Sequence, residues 1–266
     1  MREKLKEAKK IVIKVGTNAL THDNGKMNLR SMDKLVHEIA TLSNEDKQVV
    51  LVTSGAVGVG LGKLNLKEKP STLVERQVLA SVGQSELMHI YSKLFSEYSI
   101  TVGQILLTRD VMDNEVKISN AFNTFTGLLD MGIIPIVNEN DTISTDQLAI
   151  VDTFGDNDTL AAMVARLIKA DLLIIMSNID GLCDKDPNSN CDVDIIDLVH
   201  EVDDTIMSYV SGSTSSMGRG GMATKLSAAK TCLENDIMMA IVNGMDMNNI
   251  SRLIDGEKVG TLFVKK

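Results

Sequence analysis

"VVLVTSGAVGVGLG", Val49 to Gly62, runs an unbroken apolar segment straight into Ser54, Gly55 and a series of further glycines. A short run of β-branched residues without polar alternation is the pattern of a strand covered on both faces. The glycine turn behind it opens a helix, and backbone N-H groups at such a turn make a site for a phosphate or carboxylate. Strand, glycine turn and helix together are the unit of an α/β domain.

The same rhythm continues along the chain. Strands are predicted at "IVIKVG" from Ile11, "ITVGQILLT" from Ile100, "IIPIV" from Ile133, "LLIIMS" from Leu172, "IMMAIV" from Ile237 and "GTLFV" from Gly260. Between them "SMDKLVHEIATL" from Ser31 and "TLVERQVLASVGQSELMHIYSKLFSEY" from Thr72 place apolar residues at helical spacing, and their Met and Leu stripes are core. No internal repeat and no Pro/Gly/Ser-rich linker interrupts the pattern. A chain of 266 residues, 44% hydrophobic, buries a sizeable core as one large domain or two joined lobes.

Composition narrows the function. The formal charge of −9 and pI near 5.0 argue against nucleic acid as a partner, since that surface must be basic to displace counterions. Without Trp and with few other aromatics, the stacking platforms of a single-strand binder are missing too. "MREKLKEAKK" leads into an apolar run too short for a signal sequence or a membrane span, so a cytoplasmic protein is expected. Cys183, Cys191 and Cys232 are odd in number and scattered, which suits reduced thiols.

Ligands of open α/β sheets sit beyond the carboxyl ends of the strands. Lys14 interrupts the first strand and is followed by Gly16; a lysine there either snorkels from an edge or brings its ammonium to an anion that the glycine lets approach. After the second strand come Ser54, Gly55 and Ala56. Its glycines at 55, 58, 60 and 62 do not form G-x-G-x-x-G, and no G-x-x-x-x-G-K-[ST] occurs, so neither a dinucleotide fingerprint nor a P-loop is present.

Further on, "NEND" places Asn138 and Asp141 at a strand end, either as a turn or as a site for a zwitterion whose ammonium faces Asp141. In "FGDNDTLAAMVARL", Phe154 to Leu167, Asp156, Asn157 and Asp158 crowd the start of a helix, more of them than capping needs. "SSMGRGGMATKL" is a glycine-rich loop entering a helix, with Lys225 on or near the first turn. "DKDPNSNCDVDI" alternates Asp184, Asp186, Asn188 and Asn190, but Ser189 and Ile195 stand where a calcium loop needs Gly and Glu.

The ordered set "KVGTN", "VTSGAVGVG", "ASVGQSELM", "VGQILLTR", "NEND", "GDND", "GGMATK" and "VGTLF" resembles the amino acid kinase family over essentially the whole chain, and within it the members that phosphorylate glutamate at the start of proline synthesis. The resemblance implies a three-layer αβα sandwich with a mainly parallel central sheet. It implies one kinase domain over residues 1–266, with an N-terminal glutamate-binding lobe and a C-terminal nucleotide-binding lobe. Many members continue into a C-terminal RNA-binding-like module, which is not expected here because the chain stops soon after "VGTLFVKK".

By position, the resemblance implies that Lys14 and Lys225 stabilise the transferring phosphoryl group while Asp158 holds the two lysines. Ser54, Gly55, Ala56, Asn138, Asp141 and Asn157 match the glutamate site. Lys14, Gly16, Ser177, Asn178, Arg219, Gly220, Gly221, Met222, Ala223, Thr224 and Lys225 match the nucleotide site. ATP with Mg²⁺, L-glutamate as acceptor, proline as feedback inhibitor and a homo-oligomer are implied likewise, with no metal ligand of the protein's own. "MSNIDGLCDKDP" departs from the family pattern at Asn178 and Cys183, which bears on nucleotide preference.

Overall fold

The computed structural model describes residues 1–22, 26–66, 68, 70–143, 157–185, 193–211 and 221–266. In chain order, a 3-10 turn (Arg2–Glu7) precedes β1 (Lys10–Val15), α1 (Thr17–Leu20), α2 (Leu29–Asn44), β2 (Gln48–Val52), α3 (Ala56–Lys63) and α4 (Leu73–Ser96). There follow β3 (Val102–Leu107), a 3-10 turn (Arg109–Val111), α5 (Glu115–Asp130), β4 (Ile134–Glu139), α6 (Asn157–Ile168) and β5 (Leu172–Ser177). The chain continues through β6 (Leu198–Val199), α7 (Asp204–Ser211), α8 (Met222–Glu234), β7 (Met238–Asn243), α9 (Asn249–Ile254) and β8 (Thr261–Phe263). This is the expected α/β class, with a mainly parallel sheet.

Two compact units emerge, Met1–Lys14 with Asp152–Lys266, and Val15–Val151. In the second, the strand order is β3-β4-β2. All of its pairs are parallel, with Val102 opposite Ile134, Leu107 opposite Glu139 and Val52 opposite Val137. In the first, the order is β1-β5-β7-β8-β6. There β5 and β7 run parallel from Leu172 opposite Met238 to Ser177 opposite Asn243, while β8 is antiparallel to β7 and carries β6 alongside it.

The central strands are apolar because both faces are covered. Ile11, Val12, Ile13, Val50, Leu51, Ile136, Val137, Leu173, Ile174 and Ile175 are wholly buried. At roughly 25 cal/mol per Å² of apolar surface removed from water, such strands carry much of the hydrophobic stabilisation. β3 is less buried than the central strands: it is the end strand of its unit's order, and most of its residues are half-buried.

The helices start where the side chains allow. α4 opens on a capping box, in which Glu75 N-H donates to Thr72 Oγ1 at 3.2 Å and Thr72 N-H donates to Glu75 Oε2 at 3.1 Å. Asn114 caps α5 by accepting from Lys117 N-H at 3.1 Å. Sequence periodicity does not reveal α5, whose exposed polar face is broad and whose buried residues are Phe125 and Leu129. Nor does it reveal β6, two residues long and held by β8 alone. Among the described residues no helix is long and apolar enough to cross a membrane.

Candidate active site

In the first unit three charged side chains meet inside the protein. Lys14 Nζ lies 2.5 Å from Asp158 Oδ1, and Lys225 Nζ donates to Asp158 Oδ2 at 3.0 Å. Asp158 is wholly buried, and the two lysines are 6% and 4% exposed. Three elements deliver them: β1, the first turn of α6 and the first turn of α8. α6 and α8 pack together, and their buried faces are rich in small residues, Ala161, Ala162 and Ala165 on one and Ala228 and Ala229 on the other.

Two ammoniums thus share one buried carboxylate. Withdrawing three ions from water costs several kcal/mol per ion before their attraction is counted, so apolar residues of equal volume would serve stability as well. Such a cluster offers preorganised positive charge to an anion.

The surroundings extend that potential. α8 begins at Gly221, which has no side chain to cap the helix, and Thr224 Oγ1 donates back to Gly221 carbonyl at 2.7 Å. Its first-turn N-H groups and the helix dipole favour phosphate. Met222, Ala223, Thr224 and Lys225 are thus brought to the helix start, while Arg219 and Gly220 lie outside the described residues. Ser177 closes β5 with Asn178 exposed just beyond it; on the adjacent strand end Asn243 Nδ2 donates to Asp180 at 2.7 Å. Asn157 opens α6 next to Asp158 and is half-buried. Asp156, Asp186, Asn188, Asn190 and Cys191 lie outside the described residues.

The second unit gathers the other group. Thr53 N-H donates to Val137 carbonyl at 2.9 Å, which carries the ends of β2 and β4 out side by side. Gly55 then adopts φ 95°, ψ 10°, a left-handed conformation that glycine takes without strain, and α3 begins at Ala56. Gly55 and Ser54 are half-buried and Ala56 is buried. At the end of β4, Asn138 is 2% exposed, its Nδ2 donating to Gln84 Oε1 at 2.8 Å and its Oδ1 accepting from Glu139 N-H at 2.9 Å. Asp141 follows in a turn, half-buried. Gly16 precedes α1 with φ −83°, ψ 161°, so it uses none of glycine's extra freedom.

α4 supports these segments, a role absent from the sequence reading. A Cβ on Gly83 would fall 1.8 Å from Ala56 carbonyl oxygen, and one on Gly60 2.0 Å from Leu79 carbonyl oxygen, so α3 and α4 touch backbone to backbone. Tyr91 hydroxyl and Thr53 Oγ1 share a buried hydrogen bond of 2.9 Å, and burial raises the phenol pKa well above its usual value. The available signal was a polar residue, Gln84, on the core-facing side of a helix in "ASVGQSELM".

The model of the amino acid kinase family matches residues 9–243. The chain belongs to the amino acid kinase family. It is 51% identical to the glutamate 5-kinase of Clostridium perfringens over 266 residues, covering 100% of this chain and 99% of that one. It is 49% identical to the glutamate 5-kinase of Listeria monocytogenes serotype 4a, covering 100% and 96%. The glutamate 5-kinase of Caldanaerobacter subterraneus subsp. tengcongensis is 49% identical over 96% of this chain, which spans 68% of that relative.

Among solved structures, UMP kinase from Ureaplasma parvum matches with a TM-score of 0.66 over 97% of this chain and 99% of that one. Its sequence identity is 15%, and the likeness is one of fold. UMP kinase from Bacillus anthracis matches with a TM-score of 0.65, also at 15% identity.

Among the described residues no three His, Cys, Asp or Glu side chains gather to hold a metal ion. The thiols are muted: burial pushes Cys232 up to about 12, and burial, then the nearby charges of Asp184 and Asp180, raise Cys183.

Proposed function

We infer that the protein is a glutamate 5-kinase, transferring phosphoryl from ATP to the side-chain carboxylate of L-glutamate to form L-glutamyl 5-phosphate, the first step of proline synthesis. The reaction type is carried by the buried Lys14-Asp158-Lys225 cluster, and the acceptor by relatives that share about half of its residues over its whole length.

The acceptor needs no general base. A glutamate side chain has a reference pKa of about 4.3 and is ionised at neutral pH, so its oxygen attacks phosphorus directly. None of the four His residues is assigned a role. The obstacle is repulsion between two anions, in a transition state that spreads negative charge over the phosphoryl oxygens and the departing diphosphate.

Lys14 and Lys225 offset that charge, and Asp158 keeps both ammoniums in place before substrate arrives, so no reorganisation is spent during transfer. The N-terminus of α8 receives nucleotide phosphate, with Gly16, Ser177, Asn178 and the residues from Arg219 to Lys225 forming the ATP site. Ser54, the turn at Gly55 and Ala56, Asn138, Asp141 and Asn157 hold glutamate, with Asp141 on its ammonium. Mg²⁺, when bound with the nucleotide, would neutralise phosphate charge. The cluster here, lysines rather than grouped carboxylates, fits an ion brought by the nucleotide. Proline as feedback inhibitor, a homo-oligomeric assembly and a cytoplasmic location belong to the same reading.

Purified protein with Mg-ATP and hydroxylamine should yield hydroxamate from L-glutamate, and none from L-aspartate or N-acetylglutamate; UMP should release no ADP. Turnover with a different acceptor alone overturns the glutamate assignment. Folded, ATP-binding protein inert toward all of them overturns the enzymatic reading.

A further inference from the structure

Gln84 sits in the middle of α4 and is 6% exposed. The orientation of its amide follows from its neighbours. Asn138 Oδ1 accepts from Glu139 N-H at 2.9 Å, so Asn138 presents Nδ2 to Gln84, and Gln84 must answer with Oε1, at 2.8 Å. That places Gln84 Nε2 in the interior with no hydrogen-bond partner among the described residues.

A buried donor without an acceptor weakens a fold, yet an apolar side chain of the same volume would also take from Asn138 Nδ2 its Gln84 acceptor. Glutamine at this position is therefore tied to Asn138 and not to apolar packing. The neighbouring contacts show what that tie serves. Gly83, one residue earlier, lies against Ala56 at the start of α3, and Gln84 grips the last buried residue of β4. The two segments are those to which the proposed function assigns the amino-acid substrate.

We propose that Gln84 is a positioning residue for the acceptor: by holding Asn138 Nδ2 it fixes which face of the Asn138 amide meets glutamate, and so sets glutamate affinity. The inference rests on the glutamate 5-kinase reading for the identity of the acceptor, and on the geometry of α4 and β4 for the residue.

The test compares Gln84→Leu, with Gln84→Met as a second apolar replacement, against wild type, Asn138→Ala and the Gln84→Leu/Asn138→Ala double variant. The expected result is a KM for L-glutamate raised roughly 10-fold to 100-fold, the loss typical of a misplaced polar contact, with the KM for ATP unchanged. Because Gln84 acts through Asn138, the double variant should be no worse than Asn138→Ala alone, a non-additivity that two independent structural defects do not give.

An unchanged glutamate KM in both apolar variants, a parallel loss in both substrates, or strict additivity overturns the proposal. The activity reading fails separately, by absence of glutamate hydroxamate in wild type. In that event the Asn138 side-chain amide protons, assigned by their disappearance in Asn138→Ala, still decide the geometry. Slow solvent exchange in wild type and fast exchange in Gln84→Leu support the positioning, and equal rates overturn it.

Discussion

Replacing Asp158 by Asn keeps the shape of the side chain and one acceptor oxygen but removes the charge between two buried ammoniums. At an effective dielectric of about 20, the attractions at 2.5 and 3.0 Å amount to about 7 and about 6 kcal/mol gross. Most of that is offset by desolvation. Removing one member of a buried charge group costs about 3–5 kcal/mol net, and the retained amide oxygen puts Asp158→Asn near 3. In a chain of this size each kcal/mol lowers Tm by about 2–4 °C, so a drop of about 6–12 °C is expected.

The kinetic effect should be larger than the structural one. With Lys14 and Lys225 repelling each other, neither stays preorganised on the phosphoryl group, and kcat should fall by about 10² to 10³ or more. Hydroxamate formation at saturating substrate gives kcat, and calorimetry gives Tm. Asp158→Ser supplies the contrast, because a residue whose only work was at the helix start would tolerate serine with a small loss. If Asp158→Asn and Asp158→Ser both kept kcat within tenfold of wild type, the reasoning about the cluster would be refuted.

Gly83→Ala puts a methyl 1.8 Å from Ala56 carbonyl oxygen and 2.5 Å from Gly60 nitrogen, so α3 and α4 must part. Overpacking of about 1–3 kcal/mol or more should appear as a lower Tm together with a raised glutamate KM, and an unaltered Tm would contradict the backbone contact. Cys232, held protonated by burial up to about 12, should resist a thiol reagent at pH 8 until denaturant is added. Since its folded pKa lies above the unfolded value, its contribution to stability is complete below about pH 9 and is lost as pH rises toward 12. Cys232→Ala should flatten the alkaline decline of Tm, and an identical decline would count against the shift. Thr72→Ala removes the α4 cap and should lower Tm by about 2–4 °C. Hydrogen bonds from the Ser71 and Thr72 backbone hold the Glu75 carboxyl below its usual range, so the box's electrostatic part should persist above the unfolded pKa and fade on acidification. A Tm difference between wild type and Glu75→Gln that does not shrink in acid would contradict this.

Sequence by itself determined the class of the molecule. Strands buried on both faces must be apolar throughout, so β1, β2, β4, β5 and β7 announce themselves, and apolar residues at helical spacing from Thr72 mark α4. Lys14 and Lys225 stood out as lysines in an apolar strand and at a glycine-led helix start, where local sequence left open whether each ammonium meets an anion or solvent. β6 and α5 stayed hidden, since two residues have no period and α5 buries only a thin stripe.

Tertiary structure alone decided the partnerships. Nothing local joins residue 14 to 158 or 158 to 225; that both lysines close on one carboxylate depends on β1, α6 and α8 converging across more than half the chain. Gln84 read as one polar residue on a core-facing helix until β4 supplied Asn138 as its acceptor's donor. The physical reason is the same in both cases. Burial patterns are written in neighbouring residues through the helix and strand periods, whereas the pairing of buried polar groups is set by which distant segments the packed core brings within 3 Å.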